Sequence, residues 1–123
     1  MRNYKKFSVW SRSHELVLLI YRNTVPGFPD SEKYGLSSQL RRAAYSIPFN
    51  MVEGCGRSSE KDFAHFLDIS LGSAQELEYC LLLVKDLKYI TEDQYQLLFE
   101  KVNGIKAMII NLIKKIRSES VRR

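Results

Sequence analysis

Apolar residues recur three or four positions apart along most of the chain, which is the spacing of one face of an α-helix. Four such stretches are separated by short breaks, and no stretch of useful length alternates between apolar and polar residues as a strand does. The sequence therefore predicts an all-α fold, an antiparallel up-down four-helix bundle forming a single domain over residues 1–123.

The first predicted helix covers about residues 8–24, and residues 25–30, with two prolines and a glycine, end it. The second covers about residues 35–56. The apolar stripe of the first helix is Trp10, Val17, Tyr21 and Thr24. The second helix has an apolar stripe, Leu36, Leu40, Ala43, Ile47 and Met51, and a mixed one, Arg41, Tyr45, Pro48 and Val52. A helix with two partly apolar faces is expected to contact more than one neighbour.

Capping signals and heptad repeats define the third and fourth helices. Ser59 with Asp62 predicts one helix start, and Thr91 with Gln94 predicts the other. Both helices then carry seven-residue repeats typical of bundles. Apolar residues also lie off these seams: Phe66, Ile69, Cys80, Leu83, Leu97, Phe99, Ile110 and Ile113. They indicate either a broad stripe facing the core or, as we prefer, a contact surface between subunits.

Pro48 stands inside the second predicted helix, where it removes one backbone hydrogen bond. We expect the helix to continue through it with a bend, with Ser46 or Asn50 partly satisfying the freed groups. A wholly polar row runs along the same helix: Gln39, Arg42, Ser46, Asn50, Glu53 and Arg57. This row can bind a ligand through its arginines, or it can form a structural network with the third helix. We favour the structural role for Gln39, Ser46, Asn50 and Glu53.

The net charge is +5, and the two ends of the chain carry the excess of basic residues. Basic ends indicate either a polyanionic partner or solubilising tails, with residues 1–7 and 117–123 frayed. The residues predicted to contact nucleic acid are Arg41, Arg42, Arg57, Lys61, Lys114, Lys115 and Arg117. The sequence predicts no aromatic platform for stacking bases, so we expect little sequence preference.

The residues needed for catalysis or metal binding are sparse. The two histidines, His14 and His65, lie on different helices without a recognisable metal spacing. Cys55 and Cys80 are expected to be buried free thiols in a reducing compartment. We therefore expect no enzyme activity, no catalytic residue, no metal and no cofactor. No convincing export signal or apolar run of membrane-spanning length is seen, which favours a cytoplasmic protein that does not enter membranes.

A set of short elements resembles the bacterial four-helix-bundle family first known from intervening sequences of 23S rRNA genes. They are Trp10, Tyr21, Phe28-Pro29, Glu32, Tyr34-Gly35-Leu36, Gln39, Arg41-Arg42-Ala43-Ala44, Ser46-Ile47-Pro48, Asn50, Glu53-Gly54, Gly56-Arg57, Phe63, Gly72-Ser73 and Glu76-Leu77-Glu78. The resemblance implies a ring-shaped homopentamer and supplies no catalytic residues. The chain is also similar to accessory proteins of diversity-generating retroelements, basic barrels that bind a reverse transcriptase and nucleic acid.

Two functions follow from the residues and the resemblance. The first is a non-enzymatic homo-oligomeric bundle that binds RNA or DNA through basic residues with little sequence specificity. The alternative is a protein–protein interaction scaffold, with a partner such as a reverse transcriptase, whose basic charge is incidental.

Overall fold

Four α-helices make up most of the chain in a computed structural model, which describes the backbone of residues 2–122 and the side chains of residues 2–119. They are α1 (Ser8–Leu19), α2 (Leu36–Cys55), α3 (Glu60–Asp86) and α4 (Glu92–Arg122). Helix α2 packs on α3, α3 packs on α4, and α1 contacts both α2 and α4. The helices thus enclose one core, and no strand occurs within residues 2–122. The predicted all-α four-helix bundle is confirmed.

The heptad seams of α3 and α4 supply the centre of the core. Leu77, Leu81, Val102 and Ile109 are fully buried there. Lys106 on α4 pairs with Glu78 on α3. The two residues lie on opposite sides of the turn that joins these helices, and they meet because the helices run antiparallel.

Both predicted capping signals act at the helix starts. The backbone N–H of Asp62 donates to Ser59 Oγ at 3.0 Å. The N–H of Gln94 donates to Thr91 Oγ1 at 3.1 Å, and the N–H of Thr91 donates back to Gln94 Oε1 at 2.8 Å. Each hydroxyl satisfies a backbone donor that has no partner within its helix.

Helix α1 ends in a wider turn than the sequence predicts. Residues Ile20–Thr24 form a π-helical turn, and the N–H of Val25 bonds to the carbonyl of Ile20. Two 3-10 turns, Val25–Gly27 and Asp30–Glu32, complete the connection to α2. The π turn adds one residue per turn, and such turns occur frequently at functional sites.

Helix α2 continues through Pro48, as predicted, and the proline is buried. Side chains bond to two carbonyls of this turn. Asn50 Nδ2 donates to the Ser46 carbonyl at 2.8 Å, and Ser70 Oγ on α3 donates to the Ile47 carbonyl at 2.8 Å. We expected Ser46 or Asn50 to partly satisfy the groups freed at Pro48. Asn50 instead reaches the carbonyl of Ser46, two residues beyond the Ala44 carbonyl that loses its donor.

The two ends of the chain, residues 1–7 and 117–123, were predicted to be frayed, and this stays a prediction. The backbone N–H of Arg2 donates to the carbonyl of Cys55 at 3.2 Å, so the segment is held against the end of α2. At the other end, α4 remains helical over residues 117–122, while residue 123 lies outside the described part of the chain.

Candidate nucleic-acid interface

One half of the bundle gathers basic side chains from three parts of the chain. The N-terminal segment lies against the start of α3, because Arg2 pairs with Glu60. The end of α4 lies against the first turns of α3, because Arg117 pairs with Asp68. Five lysines in this half are exposed, and we call them the lysine set: Lys5, Lys6, Lys61, Lys114 and Lys115.

Three arginines engage three of the carboxylates in this half. The pairs are Arg2 with Glu60, Arg57 with Glu53, and Arg117 with Asp68. The arginine charges are therefore locally compensated, whereas the lysine set forms no ion pair within the described residues. Of the predicted contact residues, Lys61, Lys114 and Lys115 stay exposed, while Arg57 and Arg117 are paired within the chain.

The structure does not bring all seven predicted residues together. Arg41 and Arg42 lie nearer the start of α2, away from the lysine set. The Arg41 guanidinium lies 5.9 Å from the centre of the Tyr21 ring on α1, and Arg42 is exposed.

The polar row runs along the boundary between α2 and α3. Its hydrogen bonds are Gln39 Nε2 to Glu76 Oε1 at 2.7 Å, Ser46 Oγ with Ser73 Oγ at 2.7 Å, and Asn50 Nδ2 to Ser46 Oγ at 3.1 Å. Glu53 pairs at 3.0 Å with Arg57, which lies just after the end of α2, and both groups are half exposed. This arginine therefore lies at the solvent-facing edge of the row, and Gln39 and Ser46 make the row's hydrogen bonds to α3.

A second surface, an aromatic groove, lies between α1 and α2. It encloses about 790 Å³ and is lined by Tyr4, Trp10, His14, Val17, Tyr21, Tyr45, Pro48, Phe49 and Val52. The Trp10 and His14 rings stack at 5.2 Å with their planes 8° apart. Phe49 is 69% exposed, so its ring face is open to solvent.

The sequence analysis predicted no aromatic platform for stacking bases, whereas the fold brings aromatic side chains of two helices together in this groove. The signal was present in the sequence, because the stripe of α1 and the mixed stripe of α2 supply most of the lining. Both stripes suggested packing against neighbouring helices. In the fold they lie side by side and leave an open groove, which the residue spacing of either helix alone does not reveal.

The off-seam apolar residues of α3 and α4 fall into two groups. Cys80 and Ile113 are buried in the core, so the structure removes them from the predicted subunit interface. Ile69 is 39% exposed and Leu97 is 50% exposed, and Tyr79 and Leu82 add apolar surface on the outside of α3. Phe66, Leu83, Phe99 and Ile110 are half-buried.

Both thiols lie in the core. Burial raises the pKa of Cys55, an effect that the nearby Arg2 charge partly opposes. Burial also raises the pKa of Cys80, and Glu76 adds to the increase. The protonated form is therefore favoured at neutral pH, and a thiol in that form is a poor nucleophile and a poor metal ligand.

Two further observations concern metals and membranes. Within the described residues, no three histidine, cysteine, aspartate or glutamate side chains are grouped so that they can hold a metal ion. None of the helices formed by residues 2–122 combines the length and the apolar character needed to cross a bilayer.

Comparisons with known proteins agree with the fold. Residues 5–111 match the family described as 23S rRNA-intervening sequence protein. A similar solved structure is a protein of unknown function from the S23 ribosomal protein family of Bacteroides thetaiotaomicron, with 31% identity over 86% of this chain and 98% of that one, and a TM-score of 0.80. No curated protein matches the chain. The match over most of the chain confirms the resemblance seen in the sequence, and the protein belongs to the family of 23S rRNA-intervening sequence proteins.

Proposed function

We propose that the protein is a non-enzymatic, homo-oligomeric binding bundle that holds RNA or DNA through the phosphate backbone. The observation that carries this proposal is the lysine set. Its five ammonium groups are exposed in one half of the bundle, where three arginines already engage three carboxylates. The buried free thiols suit a reducing compartment, so the proposal places the protein in the cytoplasm.

The distribution of charge supports a polyanionic partner. Residues 16–49 and 71–111 together carry as many acidic as basic side chains. The net positive charge therefore belongs to the remaining segments, which form the half containing the lysine set. Such a one-sided field attracts a polyanion, and phosphate contacts gain free energy by releasing condensed counterions.

The type of side chain indicates how the nucleic acid is held. Lysine is a flexible point charge, and contacts to phosphates carry no direct information about base sequence. Three arginines of this half, Arg2, Arg57 and Arg117, are better suited to bidentate recognition but are paired with carboxylates. The proposed binding is therefore tight at low salt and tolerant of sequence.

The salt dependence of RNA binding tests the proposal. The variant Lys114→Gln with Lys115→Gln removes two exposed lysines of the set, and the matched control Lys33→Gln with Lys88→Gln removes two exposed lysines at the opposite end. For a labelled single-stranded RNA measured by fluorescence anisotropy, the slope of log K against log salt should become shallower by about 1.4 in the variant. The control should leave the slope unchanged.

Two results would overturn the proposal. One is that the unaltered protein binds no RNA or DNA at low salt, where charge attraction is least screened. The other is that the two double variants change the slope equally, which would indicate a general effect of net charge.

The homo-oligomer within the proposal has support from the outer face of α3. Ile69, Tyr79 and Leu82 are exposed there, and exposed apolar surface is typical of contacts between protein chains. The resemblance to the family suggests a pentamer.

The alternative function is a protein–protein interaction scaffold, and the aromatic groove is the observation that favours it. Apolar grooves of this kind also receive protein segments, and the resemblance suggests a reverse transcriptase as a partner. Binding to such a protein that persists at high salt, together with no affinity for RNA, would support this alternative.

A further inference from the structure

We infer that the aromatic groove binds single-stranded nucleic acid by stacking bases on its rings. This inference rests on the proposed function, because it adds base contacts to the phosphate contacts of the lysine set. It also identifies the preferred ligand as a single strand, whose bases are free to stack on protein rings, in contrast to a duplex.

Most of the residues that line the groove are aromatic. Six of its nine residues carry rings: Tyr4, Trp10, His14, Tyr21, Tyr45 and Phe49. The Trp10 and His14 rings stack in parallel, the Tyr4 ring lies edge-on to Trp10 at 4.8 Å, and the exposed Phe49 ring lies on the α2 side of the groove. Every base has a π-face, so ring surfaces of this kind hold single strands without regard to sequence.

The charges around the groove complement a polyanion. No carboxylate is among the lining residues. Arg41 lies over the Tyr21 ring at one end, and Lys5 and Lys6 directly follow Tyr4 at the other. A strand with its bases in the groove would meet a cation at both ends and would then reach the lysine set.

The length of the groove suits a short strand. From Trp10 to Tyr21 the helix rises about 16 Å. At about 3.4 Å per nucleotide, the rise of a strand within a duplex, this distance corresponds to at most four or five nucleotides, since a strand stacked on protein rings is more extended.

The single tryptophan of the chain provides a direct test, because Trp10 lies in the groove. Titration with a short oligouridylate should quench the Trp10 fluorescence, since a stacked base contacts the indole. An RNA duplex of the same length should bind through phosphate contacts and leave the fluorescence unchanged.

A matched pair of variants tests the ring contacts. Phe49→Ala removes an exposed ring of the groove, and Tyr34→Ala removes an exposed ring outside the groove, in the connection between α1 and α2, where Tyr34 is 89% exposed. Phe49→Ala should weaken oligouridylate binding by about 5- to 150-fold, the range that corresponds to the loss of one base–aromatic stack. Tyr34→Ala should have no such effect, and neither variant should change duplex binding.

The outcomes separate this inference from the proposed function. If the Lys114 and Lys115 double variant weakens RNA binding but Phe49→Ala does not, the groove does not bind bases and the proposed function stands. If the parent protein binds no RNA, both fail. If Phe49→Ala lowers the mass measured by light scattering, a second copy of the chain occupies the groove, which also overturns the inference.

Discussion

Gly54 shows how one missing side chain permits two helices to pack closely. A Cβ atom at this position would lie 2.9 Å from Phe66 Cβ and 3.1 Å from Phe63 Cδ1 on α3. At Gly104, on α4, an added Cβ meets nothing within 4 Å. Gly54→Ala should therefore lower the free energy of unfolding by about 1–3 kcal/mol because of overpacking. Gly104→Ala should raise it by about 1 kcal/mol through helix propensity.

Urea denaturation of the two glycine variants measures this difference. Equal effects of both substitutions would contradict the close packing at Gly54. The sequence predicted only that the second helix ends near residue 56, and α2 does end there, at Cys55. The role of Gly54 depends on the phenylalanines of another helix, so local sequence cannot reveal it.

Lys88 holds a backbone conformation that disfavours its side chain. Its φ is 64°, in the left-handed region. The N–H groups of Lys88 and Tyr89 bond back to Lys85 and Val84, which is the arrangement that glycine commonly completes at helix ends. Lys88→Gly should therefore raise the free energy of unfolding by about 0.5–1 kcal/mol.

The same substitution inside a helix supplies the control for Lys88. Lys101 is exposed and lies within α4, so Lys101→Gly should lower the free energy of unfolding by about 1 kcal/mol. Thermal denaturation should give shifts of opposite sign. A lower melting temperature for Lys88→Gly would show that the lysine side chain contributes stability that the conformation does not predict.

At the scale of elements, the sequence predicted the helix limits that are determined by residues close in sequence. The capping residues Ser59 and Thr91 and the heptad seams mark the limits of α3 and α4 because their effects act within one or two turns. The π turn at Ile20–Thr24 was not predicted, because its apolar spacing also suits an ordinary helix. The groove between α1 and α2 was missed for a related reason, since an apolar stripe does not show whether another helix covers it.

The contact between α2 and α3 gives a prediction about the polar row. Ser70 is fully buried and donates to the Ile47 carbonyl, whereas Arg57 pairs with Glu53 at the surface. Ser70→Ala should lower the free energy of unfolding by about 1–2 kcal/mol because a buried acceptor loses its donor. Arg57→Gln should change it by less than about 1 kcal/mol, as is usual for an exposed ion pair.

Chemical denaturation of the Ser70 and Arg57 variants checks this order. A larger loss in Arg57→Gln would mean that the arginine belongs to the structural network, as one interpretation of the sequence held. The exposure of Arg57 favours a role outside the network, and this exposure depends on how α2 lies against α3.

At the scale of the whole molecule, the sequence predicted that basic charge lies towards the chain ends. The fold determines which of these charges form ion pairs within the chain and which stay exposed. Arg2, Arg57 and Arg117 are basic in sequence but paired in the fold. Lys61, Lys114 and Lys115 were predicted alongside them and are exposed. The sequence could not separate these two groups, because each pair joins residues whose distance depends on the packing of the helices or on side-chain geometry.

The assembly of the protein provides the last prediction. If the outer face of α3 joins copies of the chain, light scattering should give a mass several times 14.3 kDa. Ile69→Glu with Leu82→Glu should convert the assembly to monomers, because the introduced carboxylates would be buried against apolar surface without a partner. Both residues are more than a third exposed, so the monomer should stay folded, as circular dichroism would show.

Phe49→Glu places the same charge in the aromatic groove and should leave the mass unchanged. A monomeric parent protein at micromolar concentration would rule out the assembly, and a loss of mass in Phe49→Glu alone would move the contact from α3 to the groove.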